Sequence, residues 1–229
     1  MRAMRKIVLI PGTRDWAPPE DGKNVRWWQS NSPFTLLWQR SGFQRHGWTW
    51  HGLDLPQWAT GLAGTAWADK DHRTWWRGAY GQAEALERLP LEDRNVICHS
   101  HGGNLGVLLA GMVPLHRLIT VCTPVRRDMR DAYDAVTCPW MHVYDANLWT
   151  NRMQLFGARL SFEMKMPGAK NLKLKGIGHS ELVRDPLRFR EIHTQELMPF
   201  VRCWWCRPDT ALERTRYRGH GDDDHRDRL

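Results

Sequence analysis

Strand-length apolar runs alternate with helical segments along this chain. That alternation predicts an α/β fold, a mainly parallel sheet with helices on both faces. Three observations carry the prediction. Short apolar runs, among them Lys6–Ile10, Asn95–Cys98, Arg117–Cys122 and Trp140–Tyr144, have the length of buried strands and are bounded by turn residues. Segments with helical spacing, Trp75–Leu89 and His101–Met112 foremost, lie between them. Each strand–helix–strand step then closes by a right-handed crossover, which makes neighbouring strands parallel. The 229 residues suit one large domain, placed at 1–206, followed by a charged tail at 207–229 that is expected to be disordered.

The elements follow in order. Lys6–Ile10 is a short strand ended by Pro11-Gly12. A polar loop with Pro18-Pro19 and Asp21-Gly22 leads to a helix at Phe34–Arg40. Ser32 is its N-cap, Pro33 its first residue and Gly42 its stop, because serine caps orphan N–H groups and proline loses nothing there. His46–His51 alternates Trp48 and Trp50 with polar residues, a strand pattern, and Leu53–Lys70 is irregular. Trp75–Leu89 is a helix with Ala79, Ala83, Leu86 and Leu89 on its inner stripe. Asn95–Cys98 is a strand and His101–Met112 a closely packed helix rich in small residues. Arg117–Cys122 is a strand, Arg127–Ala135 helical and Trp140–Tyr144 a strand. Leu160–Met166 and Leu172–Lys175 are further strands, and Pro186–Trp204 is a long final helix.

Composition narrows the function classes. No apolar run reaches the 18 or so residues of a membrane span, and Ile7–Ile10 is too short for the core of a signal peptide. Five cysteines, an odd count, point to reduced thiols and a cytoplasmic setting. Cys203-Trp-Trp-Cys206 has C-x-x-C spacing but no second ligand pair, so two thiols near a helix end is the favoured reading. The net charge is 33 − 25 = +8, and arginine supplies 26 of the 33 cations. The tail is neutral, so the excess sits on the body. Such a spread helps an anionic partner approach, but it is not the clustered footprint of a nucleic-acid binder. Trp is abundant at 14 residues, and the pairs Trp27-Trp28, Trp75-Trp76 and Trp204-Trp205 suit a core or an apolar cleft.

In a parallel α/β sheet, function collects on the loops after the strands. The strand Asn95–Cys98 is followed by His99-Ser100-His101-Gly102-Gly103-Asn104 and then a helix. A sharp strand-to-helix turn forces its apex residue into a strained backbone and requires small residues two places before and after. Cys98 and Gly102 meet that need, and Gly103 allows close helix packing. This is the G-x-S-x-G nucleophile elbow with cysteine in the first place, presenting the Ser100 hydroxyl at the positive end of the next helix. The sequence here resembles the α/β-hydrolase family, in particular small esterase- and lipase-like members with H-S-H-G-G, in element order from Lys6 to Phe200.

The resemblance implies the rest of a site. The family carries a histidine on the loop after the last strand, and Gly176-Ile177-Gly178-His179-Ser180 fills that slot, making His179 the general base. The order Ser…Asp…His puts the acid after Trp140–Tyr144, where Asp145 stands; Asn147 and Asn151 hold the positions a few residues on. Asp128 and Asp134 are alternatives, expected on a solvated helix face. One oxyanion donor is the backbone N–H of His101, and the other is Thr13 in Pro11-Gly12-Thr13, where Gly12 permits close approach. Pro11 stands where related esterases have histidine. Trp16, Trp27, Trp28, Trp67 and Trp75 are placed to wall an apolar acyl site or to fill the core. His99 and His101 also raise a metal site, but side chains flanking a sharp turn diverge.

The implied function is a serine hydrolase cleaving a carboxylic ester through an acyl-enzyme, with a small-molecule or lipid-like ester as substrate and no cofactor. A catalytically impaired binding protein of the same fold and a nucleic-acid-associated protein are the rival readings.

Overall fold

The computed structural model describes residues 5–12, 25–47, 95–145 and 164–202. Strand β1, Arg5–Ile10, leads to helix α1, Pro33–Arg40, and strand β2, Phe43–Gly47. Strand β3, Asn95–His99, runs into helix α2, His101–Met112, and the chain continues to strand β4, Arg117–Val121. A 3₁₀ turn at Arg127–Met129 opens into helix α3, Arg130–Asp134. Strand β5, Trp140–Asp145, and strand β6, Lys170–Leu174, complete a six-stranded sheet in the order β2-β1-β3-β4-β5-β6. Every pairing is parallel. Helix α4, Glu181–Arg184, and helix α5, Arg190–Ile192, follow; a π turn at His193–Leu197 links α5 to helix α6, Met198–Arg202.

Strand alternation divides the core in two, because successive side chains point to opposite faces. Val8, Ile10, Val96, Cys98 and Leu118 face one layer, where they pack with Leu105, Val107, Leu108 and Leu109 of α2. Ile7, Leu9, Ile97, Ile119 and Val143 face the other, with Phe34 and Trp38 of α1 and Leu197 and Met198 of the C-terminal helices. Helix α1 begins as its sequence dictates: the Thr35 N–H donates to Ser32 Oγ at 3.0 Å, a cap worth about 1 kcal/mol. Arg117, 1% exposed at the start of β4, donates to the carbonyls of His116 and Phe200 and so ties α6 to the sheet.

The strand order reverses at β1. The chain leaves β1 for β2 on one side and returns to β3 on the other, so the loops after β1 and β3 part at their carboxyl ends. That divergence is where open α/β sheets form their binding crevice. Here it lies between Pro11-Gly12 and Ser100.

Several boundaries differ from the sequence expectation. The second strand runs over Phe43–Gly47 rather than His46–His51; residues 48–51 lie outside the described part. As an edge strand it needs no apolar run, and Phe43 anchors it in the core. The last strand is Lys170–Leu174, shifted toward the N-terminus of Leu172–Lys175. Of the strand expected at 160–166, residues 160–163 are outside the described part and 164–166 are irregular. The final helix starts at Arg190, because Pro186–Phe189 form turns. The helix at Trp75–Leu89 and the tail at 207–229 also fall outside the described residues. No described helix is long and apolar enough to cross a membrane.

Two histidines are buried in neutral form. His193 Nδ1 accepts from the Trp38 indole N–H at 3.2 Å, and its Nε2–H donates to the Leu182 carbonyl at 2.9 Å. Burial pushes its pKa down to about 4. His142, packed against Thr120 Oγ1 at 2.9 Å, is pushed by burial down to about 3. In the unfolded chain both titrate near 6.5, so there they bind protons that the fold refuses. Stability from this source is whole above about pH 6.5 and drains away as pH falls toward 4. The unfolding free energy from urea titrations is therefore expected to drop between pH 7 and pH 5, by on the order of 1 kcal/mol per pH unit for each histidine. His193→Gln should flatten that slope; equal slopes in variant and wild type would contradict the assignment.

Candidate active site

Ser100 sits between β3 and α2 with φ 54° and ψ −134°. A serine at positive φ is strained by about 1–3 kcal/mol and persists only where its surroundings impose it. Here the constraint is dense. The Ser100 N–H donates to the Val121 carbonyl and its own carbonyl accepts from the Gly103 N–H, both at 2.9 Å. A methyl group on Gly102 would overlap the Pro11 carbonyl oxygen and lie 2.8 Å from that of Ile10. Helix α2 can thus begin close against the end of β1 only because residue 102 has no side chain. Ser100 is 9% exposed and lies beside Gly12.

His179 arrives from the turn after β6, and its Nε2 lies 2.9 Å from Ser100 Oγ. The histidine can therefore accept the serine proton. The turn that delivers it is held from several sides. The Asp145 carboxylate, wholly buried at the end of β5, accepts from the Gly178 N–H at 2.8 Å and from the Gly176 N–H at 3.4 Å. Gly178 has φ 55°, a left-handed backbone natural to glycine. The Cys122 thiol donates to the Gly178 carbonyl at 3.4 Å. His99 Nε2 lies 2.8 Å from the His179 carbonyl, an acceptor, so His99 carries its proton on Nε2.

The structure brings Ser100, His179 and Asp145 to one end of the sheet, with Gly12 opposite: a Cβ on Gly12 would stand 2.7 Å from that of Ser100. The His101 N–H lies in the first turn of α2, at the positive end of the helix dipole. Thr13, Trp16, Trp67, Trp75, Asn147 and Asn151 fall outside the described residues. Trp27 and Trp28 are buried in the layer with Phe34; Trp27 meets Phe34 edge-on at 5.1 Å and His99 at 6.3 Å. Asp134 is exposed on α3. Among the described residues no three His, Cys, Asp or Glu side chains converge as a metal site requires.

Sequence reasoning missed the parts played by His99 and Cys122. It read Cys122 as an apolar strand residue, whereas Cys122 follows β4 with φ 48° and holds the turn that bears His179. A usable signal was present: both residues close parallel strands beside the crevice, where side chains reach neighbouring loops.

No protein-family model matches the chain, and no curated protein matches it. Solved structures do. A carboxylesterase structure from the thaumarchaeon Nitrososphaera gargenis superposes with a TM-score of 0.52 at 12% identity, covering 86% of this chain and 90% of that one. A dienelactone hydrolase from Anabaena variabilis gives 0.48 at 12% identity over 88% of each chain. An alpha/beta hydrolase enzyme from lagoon sediments of Mar Chica, Morocco, gives 0.49 at 13% identity over 85% and 90%.

Proposed function

Taking as premise that this chain has the α/β-hydrolase fold, we propose that it is a serine hydrolase that cleaves carboxylic esters through an acyl-enzyme. The observation that carries the reading is the 2.9 Å contact between Ser100 Oγ, on its strained turn, and His179 Nε2. Serine is a weak nucleophile until a base within hydrogen-bond reach takes its proton.

In the proposed reaction Ser100 Oγ attacks the ester carbonyl while its proton passes to His179 Nε2. The carbonyl oxygen becomes an oxyanion, held by the backbone N–H groups of His101 and Thr13. His179 then protonates the departing alcohol and the acyl group stays on Ser100. Water, deprotonated by His179, attacks the acyl carbon; the acid leaves and the proton returns to Ser100. Asp145 supplies negative charge beside the imidazolium turn and fixes the turn through its N–H groups. Gly12 leaves room for the carbonyl; Trp27 and Trp28 are core residues beside Phe34, so the proposed acyl wall falls to Trp16 and Trp75. The substrate is a small-molecule or lipid-like ester. Cytoplasmic residence is part of the same reading, supported by the odd cysteine count.

A fluorophosphonate probe tests the reading, since it reacts only with an activated serine. Wild-type protein is expected to label covalently at Ser100, and Ser100→Ala not at all. Undiminished labelling of Ser100→Ala, or an inert wild type, would overturn the assignment.

A further inference from the structure

We propose that His99, the residue preceding the nucleophile, is a positioning residue for the base: its Nε2–H, bonded to the His179 carbonyl, sets the height and angle at which the imidazole meets Ser100. The inference rests on the serine-hydrolase reading and adds to it a residue with no role in the Ser-His-Asp scheme.

The geometry argues as follows. His99 ends β3 and is 2% exposed, so its ring has little freedom. Trp27 packs against it edge-on at 6.3 Å, and Gly12 lies beside it, since a Cβ there would be 3.1 Å from His99 Nδ1. A ring fixed this way is a rigid strut between the sheet and the turn after β6. Its bond to the His179 carbonyl is 2.8 Å long, and the two imidazoles stand 5.0 Å apart at 55°. His99 therefore binds the backbone of the same residue whose side chain reaches Ser100.

Asp145 and Cys122 act on residues before His179, and the Ser180 carbonyl after it accepts from the N–H groups of Val183 and Arg184. Asp145 binds the N–H groups of Gly176 and Gly178, and Cys122 binds the Gly178 carbonyl. Thiol hydrogen bonds are weak. The peptide between His179 and Ser180 is thus held by His99, and His99 is bonded in sequence to the nucleophile. A displacement of β3 would carry Ser100 and the anchor of His179 together and preserve their contact. Loss of the anchor would let the imidazole drift, and small misplacements of catalytic groups cost orders of magnitude in rate.

Three substitutions test this. His99→Gln keeps a donor at about the Nε2 position, His99→Asn is too short to reach, and His99→Phe keeps the ring without the donor. Inactivation by a fluorophosphonate and turnover of p-nitrophenyl acetate are measured for each, with amide exchange across residues 176–180. His99→Phe and His99→Asn are expected to lose tenfold or more in inactivation rate and kcat, with KM within about threefold. Their 176–180 amides should exchange faster. His99→Gln should stay within about threefold of wild type on every measure. Asparagine and glutamine differ by one methylene, so that pair keeps the test alive if the phenylalanine variant does not fold. Wild-type rates in the asparagine variant, or a glutamine variant as slow as the asparagine one, would overturn the positioning role while leaving the nucleophile intact. A wild type that does not react with the probe sinks both readings, and it does so before any His99 variant is compared.

Discussion

Replacing His179 with alanine is expected to lower ester turnover by roughly 10⁴- to 10⁶-fold. The size follows from the site. In the proposed reaction His179 Nε2, 2.9 Å from Ser100 Oγ, takes the serine proton, and without a base the hydroxyl stays protonated at neutral pH. In the same scheme that imidazole also protonates the leaving alcohol, so one substitution would disable both halves of the cycle. Because serine and histidine act as one unit, the double variant Ser100→Ala/His179→Ala should be no slower than the slower single one. Measured kcat on p-nitrophenyl acetate decides the matter, with thermal melts to show that the variant is folded. Since His179 is half-buried on a turn, its truncation should cost little stability. A folded alanine variant that keeps a tenth of the activity would exclude His179 as the base.

Gly102→Ala is expected to destabilise the fold strongly for so small a change. Its new methyl group would press on two backbone carbonyls at the end of β1, those of Pro11 and Ile10, and neither can swing aside as a side chain can. Relief requires α2 to lift from the sheet or β1 to slide in its register with β2 and β3. Overpacking of this kind costs about 3 kcal/mol, against which alanine returns about 1 kcal/mol of helix propensity. The net loss, about 2 kcal/mol, should lower Tm by roughly 4–8 °C. The same substitution at Gly111, exposed on α2 and facing only the Ala135 Cβ at 3.3 Å, is the control and should change Tm little. Equal melting temperatures for the two variants would show that the elbow tolerates more than its geometry implies.

How much could be read from the chain varies with the kind of signal. Helix α1 announced both ends, because Ser32, Pro33 and Gly42 act on their own neighbours. Helix α2 and the turn before it were equally legible, since small residues at 98, 102 and 103 serve a local steric need. Interior strands β1, β3, β4 and β5 were found to within a residue, as burial on both faces makes them continuously apolar. The edge strands β2 and β6 begin three and two residues before their expected starts, because an edge lacks that requirement. Ser100, His179 and Asp145 were singled out from strand order and the resemblance together. The bonds that surround them were not visible. His99 meets the carbonyl of a residue 80 positions away, and Asp145 acts on backbone N–H groups, which leave no trace in residue type.

Strand β1 stands inside the sheet, clasped by β2 on one flank and β3 on the other. The opening residues of the described chain are therefore a keystone and not a fringe. A nascent polypeptide can pair one flank with residues 43–47 but must leave the other open until residues 95–99 emerge to lie beside it. Assembly is thus obliged to close a long loop before its middle can set, and trimming those residues would leave two raw flanks where the molecule now has a seam.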